Sequence, residues 1–167
     1  MSENQKTGEG AGSESVIVYT DGGCSGNPGA GGWACVIIAD EQVIEKSGGE
    51  KETTNNRMEL SAAINALISI RDDERLKKKR EVKVFIDSQY VKNGITNWIA
   101  KWKKNGWKTS AKKPVVNRDL WEKLDALSSG MNIEWNWVKG HAGVKYNEIC
   151  DSLCRKEIRA VKAALPR

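Results

Sequence analysis

Four carboxylates and one histidine stand out in the chain of 167 residues because of where they fall. Asp21 follows the run Val16 to Thr20, and Asp87 follows the run Val82 to Ile86. Both runs are β-branched and aromatic and read as strands. As parallel neighbours they would lie about 4.8 Å apart. Their two C-terminal carboxylates would then project into one crevice, where open α/β sheets bind ligands. Carboxylates that close repel each other unless a cation lies between them. Hard oxygen donors select Mg2+ or Mn2+ over zinc. Taken singly, an Asp before two glycines is more commonly a turn former, so the pair carries the argument. Glu59 falls early in a predicted helix, off its apolar stripe, and Asp151 falls in the last predicted helix beside Asn147. His141, the only histidine, sits in Lys139-Gly140-His141-Ala142-Gly143. The flanking glycines predict a mobile loop, and a lone loop histidine is ordinarily only solvated.

The elements that must position these groups follow from pattern. Residues 33–39 and 42–48 read as a second and third strand, joined by the short turn Asp40-Glu41. The connection from the first strand, DGGCSGNPGAGG, is rich in glycine and reads as a turn. Spacing this short predicts an antiparallel meander. Thr54 to about Arg71 reads as a helix with Thr54 at the N-cap and a 3.6-residue stripe of Leu60, Ala63, Ile64, Leu67 and Ile70. The polar stretch from Arg71 to Arg80 ends it. A strand, a helix and the strand at 82–86 in that order predict a crossover and a parallel pair. Ser88 to about Lys104 reads as helical with a break near Asn97, and 117–129 as a helix stopped by Gly130. Residues 133–138 read as the fifth strand, and Val144 to about Ala164 as the last helix. The expected fold class is α/β: a mixed five-stranded sheet, three strands antiparallel and then two parallel, with flanking helices.

Charge is unevenly spread. The formal net charge is +5, yet residues 71–113 hold 14 Lys/Arg against 5 Asp/Glu, a balance of +9 that leaves −4 for the rest. Concentrated basic charge marks a polyanion-binding surface, although a Lys run by itself is commonly a solvated helix face. Residues 92–113 carry seven Lys and no acidic residue, interleaved with Trp98, Trp102 and Trp107. Lysines neutralise phosphates, and aromatic faces pack on sugars and bases. Trp121, Trp135 and Trp137 read as core. The four cysteines, Cys24, Cys35, Cys150 and Cys154, lack zinc-knuckle spacing and read as reduced thiols of a cytosolic protein. Cys150 and Cys154 share one helical stripe, more often packing than metal binding. Residues 1 to about 14 read as a disordered tail with neither a signal nor a transit peptide, and no apolar run approaches membrane-spanning length.

Five ordered motifs carry a family resemblance over Val16 to Ile158: YTDGGCSGNPGAGGW, TTNNRMEL, FIDSQYV, GITNWIAKWKKNGWKTS and WVKGHAGVKYNEICD. The chain resembles bacterial-type, type 1 ribonuclease H. The resemblance implies a ribonuclease H-like fold in a catalytic domain at residues 15–160, between tails at 1–14 and 161–167. It implies an endonuclease that cuts the RNA strand of an RNA/DNA hybrid and leaves 5′-phosphate and 3′-hydroxyl ends; a cytoplasmic monomer is expected separately, from the reduced thiols and from the lack of extra apolar surface in the sequence. It implies a metal site of Asp21, Glu59, Asp87 and Asp151, holding two Mg2+ about 3.5–4 Å apart, with Mn2+ able to substitute. His141 would assist proton transfer or product departure, and Asn147 would orient that end of the site. Cys24 (through its backbone), Asn27, Asn55 and Gln89 would read the RNA strand and its 2′-hydroxyls, with Glu59 touching RNA as well. The glycine-rich segment would let the backbone approach the minor groove closely. Trp98, Lys101, Trp102, Lys103 and Lys104 would grip the DNA strand, and Thr54 and Asn117 would bind one of its phosphates. The segment 71–80 is longer and more basic than the family pattern.

Three competing readings differ in what they require. A hybrid-binding module without catalysis requires a missing carboxylate, and none is missing. A Holliday-junction resolvase or an integrase of the same superfold lacks the Lys/Trp segment and the histidine loop at these spacings. An adaptor role would use the basic surface alone. Metal-dependent cleavage of a hybrid separates all three from the first reading.

Overall fold

The structure, a computed structural model, describes residues 14–139 and 145–166. The expected mixed sheet is present in the order β3-β2-β1-β4-β5. β1 (Ser15–Ser25), β2 (Gly29–Ala39) and β3 (Gln42–Thr53) pair antiparallel. β4 (Glu81–Ile86) runs parallel to β1, and β5 (Ile133–Trp137) parallel to β4. The glycine-rich segment expected to be a turn is mostly strand. Asp21 to Ser25 pair with Ala34 back to Ala30, leaving only residues 26–28 to turn. The reason is packing, since glycine inside a strand permits close approach of another backbone. A Cβ on Gly22 would stand 2.6 Å from the Glu59 nitrogen, and one on Gly32 would stand 2.7 Å from the Cys154 carbonyl oxygen.

α1 (Asn55–Arg71) begins as expected, with Thr54 Oγ1 accepting from Arg57 N at 3.2 Å. All five residues of its predicted stripe are buried. The polar stretch after it contains a one-turn helix, α2 (Glu74–Lys77), because Asp73 Oδ1 caps the Arg75 and Leu76 amides and Leu76 is buried. The predicted break near Asn97 is instead a widened π turn, Gly94–Trp98, between α3 (Gln89–Asn93) and α4 (Ile99–Asn105). Gly94 lies flat against the Trp121 indole, with no room there for a Cβ. α5 (Arg118–Ser129) and α6 (Lys145–Ala164) complete the chain.

The sheet separates two apolar layers. On one face α1, α5 and the α3–α4 segment bury Val16, Val18, Cys35, Ile37, Leu60, Leu67, Val84 and Trp121. On the other, α6 lays Cys150 and Cys154 on Ala34 and Val36. These two thiols pack, as their spacing suggested, and burial raises both above their ordinary titration range. Burial likewise pushes Cys35 up to about 12. Among the described residues no helix is long and apolar enough to cross a membrane.

Candidate active site

The β1–β4 ladder ends at Tyr19 and Phe85, whose rings stack at 5.0 Å. Two residues on from that pair in each strand come Asp21 and Asp87. The parallel register anticipated from sequence therefore sets the two carboxylates side by side, just where the ladder stops. Glu59 arrives from α1, whose first turns rest on Gly22. Asp21, Glu59 and Asp87 each offer an oxygen, and the three oxygens lie within 4.8 Å of one another. Asp21 is buried, and its Oδ1 accepts from Gly22 N at 2.9 Å. The Glu59 carboxyl is held well above its ordinary value, first by burial and then by the charges of Asp21 and Asp87. Crowded carboxylates of this kind are destabilising until a cation joins them. The all-oxygen donor set suits a hard divalent ion, so the residues fit a metal of that class.

Asp151 lines the same cleft from α6 but stands outside the triad, and its Oδ2 accepts from Arg155 Nε at 3.1 Å. Asn147 is buried one turn earlier. His141 lies outside the described residues. Beside the triad, three of the expected RNA readers meet. Asn55 Oδ1 accepts from Cys24 N at 2.8 Å, and Asn27 Oδ1 accepts from Asn55 N at 3.1 Å. Gln89 is exposed at the first residue of α3, two positions after Asp87.

A family profile described as RNase H matches residues 13–159. The chain belongs to the ribonuclease H family. A ribonuclease H of Francisella philomiragia is 52% identical over 143 residues, covering 86% of this chain and 90% of the relative. One of Wolbachia pipientis is 54% identical over 143 residues, covering 86% and 94%. Among solved structures, LC9-RNase H1, a type 1 RNase H, superposes with a TM-score of 0.76 at 30% identity, over 89% of this chain and 74% of that one. LC11-RNase H1 in complex with an RNA/DNA hybrid gives 0.69 at 26% identity, over 88% and 99%.

In this ribonuclease H the tryptophans of the basic segment pack before they do anything else. Trp98, Trp102 and Trp107 are partly buried against the main core. Trp98 lies 5.7 Å from Trp102, and Trp102 lies 5.6 Å from Trp121. Lys101, Lys103 and Lys104 are exposed, but Lys103 Nζ is already paired with Asp125 on α5 at 3.2 Å. Thr54 and Asn117 are joined through a residue that sequence reading passed over. Arg57 donates to Asn117 Oδ1 at 3.2 Å and grips both Asp119 oxygens at 3.0 and 2.9 Å. Asn117, in the left-handed region at φ 62°, also donates to the Tyr90 hydroxyl at 3.1 Å.

Trp137 corrects the sequence reading outright. Expected in the core, it is 39% exposed at the end of β5. Trp135, two residues earlier, is partly buried and packs on the core as expected. A position at the strand end, beside the histidine loop, was the available signal. Arg155 was legible as an i,i+4 partner of Asp151; Arg57 was not, because its partners lie 60 and 62 residues away.

Proposed function

We propose that this ribonuclease H hydrolyses the RNA strand of RNA/DNA hybrids to 5′-phosphate and 3′-hydroxyl ends, with two Mg2+ held by Asp21, Glu59, Asp87 and Asp151. The observation that carries the reading is the meeting of three carboxylates from β1, α1 and β4 within 4.8 Å, with a fourth on the same cleft wall. Bound divalent ions supply charge neutralisation at the scissile phosphate and an activated water. The chain's own groups do the rest. The linked Cys24, Asn27 and Asn55 face the RNA strand, and a 2′-hydroxyl both donates and accepts, which suits amide and backbone partners. Gln89 reads the same strand from α3. His141 assists proton transfer or product departure, and Asn147 orients that end of the site. Thr54 and Asn117 bind a DNA phosphate beside Arg57, while Trp98, Lys101, Trp102, Lys103 and Lys104 hold the DNA backbone.

LC11-RNase H1, solved with a hybrid, supports this substrate class. The active unit is residues 15–160, acting as a cytoplasmic monomer, with Mn2+ able to replace Mg2+. The test is cleavage of end-labelled RNA/DNA, RNA/RNA and DNA/DNA duplexes with and without Mg2+. Cutting of the RNA strand of the hybrid alone, abolished by chelation, is expected. Chelator-resistant cutting, or cutting of all three duplexes alike, would refute the reading.

A further inference from the structure

β5 supports β4 by a parallel ladder that closes with Ile86 opposite Trp137 and with Val138 N donating to Ile86 O at 2.8 Å. The next carbonyl, just past the end of β4, belongs to Asp87, and it receives a side chain: Trp137 Nε1 donates to Asp87 O at 3.3 Å. The same indole is held from the other direction. Ser88 caps α3, its Oγ accepting from Val91 N at 3.2 Å, and Lys92 one turn on places its Nζ 4.9 Å from the centre of the Trp137 ring. The backbone leaves Asp87, enters α3 and returns through Lys92 to the ring that binds Asp87. Trp137 is 39% exposed and belongs to neither apolar layer, so core packing does not fix its indole.

We propose that Trp137 and Lys92 form a clamp that positions Asp87 for metal binding, Trp137 through its indole N–H and Lys92 by holding the ring. Trp137 is a positioning residue, for it reaches the metal site only through the Asp87 peptide. The inference rests on the reading of Asp87 as a metal ligand. Groups that orient metal ligands typically change affinity 10–100-fold when removed. A hydrogen bond to the ligand's backbone acts less directly, and about 3–10-fold is expected, below that range. Lys92 acts one step further out, through a cation–π interaction that is weak when exposed, so about 2-fold is expected.

The test is Mn2+ and Mg2+ titration calorimetry on the substrate-free full chain, wild type beside Trp137→Phe and Lys92→Met, with thermal melts and steady-state kinetics at several metal concentrations. Phenylalanine keeps an aromatic face for Lys92 and loses the donor together with part of the ring's bulk, a packing loss that the melts report. The proposal expects weaker metal binding in both variants and melts near wild type. For Trp137→Phe it also expects a kcat that recovers at saturating metal and an unchanged KM for hybrid. A wild-type chain that binds no divalent ion would sink the metal reading of the cleft itself. Wild-type metal affinity in both variants would overturn the clamp alone. A raised KM for hybrid with unaltered metal affinity would make Trp137 a substrate-binding residue and overturn it as well. If Trp137→Phe failed to fold, Lys92→Met would decide by the same readout.

Discussion

The carboxylate cleft and the aromatic root of the basic segment lie on neighbouring elements and are built on opposite terms. At the root, neighbouring rings of Tyr90, Trp98, Trp102 and Trp121 pack tilted or edge-on at 5.3 to 5.7 Å, and the Tyr90 hydroxyl accepts from both Trp121 and Asn117. Every interaction there favours the fold. In the cleft, three carboxylates converge, and the Glu59 carboxyl is forced upward by its surroundings. The cleft is held in place by the rest of the molecule and adds repulsion of its own. Stability and chemistry are thus assigned to different residues, as is common where a site must await its ligand.

The comparison breaks most visibly at Asp21. Asp21→Asn keeps the shape and removes one ligand charge. Single-turnover cleavage should fall by about 10³-fold or more, because a metal site supplies several kcal/mol of transition-state stabilisation. The metal-free melting temperature should rise, by about 2–4 °C for each kcal/mol of relieved repulsion. A lower melting point would mean that the cleft stabilises the fold after all. Trp121→Ala is the converse. It empties a fully buried site and should cost about 3–5 kcal/mol in chemical denaturation, with binding of hybrid weakened as the basic segment loses its base. A loss below about 1 kcal/mol would show that the root is dispensable.

These contrasts also mark what sequence could and could not convey. The adjacency of Asp21 and Asp87 was legible, because strand patterns and a helical crossover leave few topologies. The α1 stripe and its Thr54 cap were legible for the same local reasons. The glycine-rich segment misled, since glycine signals a turn and a close helix approach alike, and only the position of α1 and α6 separates the two. Trp137 misled because size suggests core, whereas its place is decided by where β5 stops. The links of Arg57 to Asn117 and Asp119 join distant parts of the chain, so no local pattern announces them.

A further contrast concerns pH. In the metal-free protein the folded state raises the Glu59 carboxyl, so above about pH 4.3, where the unfolded chain releases this proton, the folded state still holds it. Stability contributed by this group is complete below that pH and declines as pH climbs through the folded-state value. Denaturation midpoints from pH 4 to 8 should therefore fall more steeply for wild type than for Glu59→Gln, and divalent metal should remove the difference. Parallel profiles would contradict the crowding. The smallest effects belong to the exposed lysines. Lys101→Ala with Lys104→Ala should raise KM a few-fold with kcat unchanged, a uniform-binding loss. For every phosphate no longer neutralised, the log–log salt slope should flatten by about 0.9, taking duplex DNA as a guide. Lys103→Ala should do less, since Asp125 already engages that charge. Equal effects at all three positions would show that the ion pair yields to substrate.

The order of the strands has a consequence for the time at which the enzyme comes into being. β1 pairs with β4 across a separation of 66 residues, Glu59 lies between them in sequence, and Asp151 follows on the final helix. A ribosome that has made only the β1–β3 meander has made one acidic residue of the triad and neither of its two acidic neighbours. The cluster first exists when β4 docks, and the fourth carboxylate joins only once α6 has been made. At about 5–20 residues per second, the stretch from Asp21 to Asp151 takes several seconds or more to emerge. Throughout that interval the nascent chain, tethered beside the RNA being translated, holds no assembled nuclease.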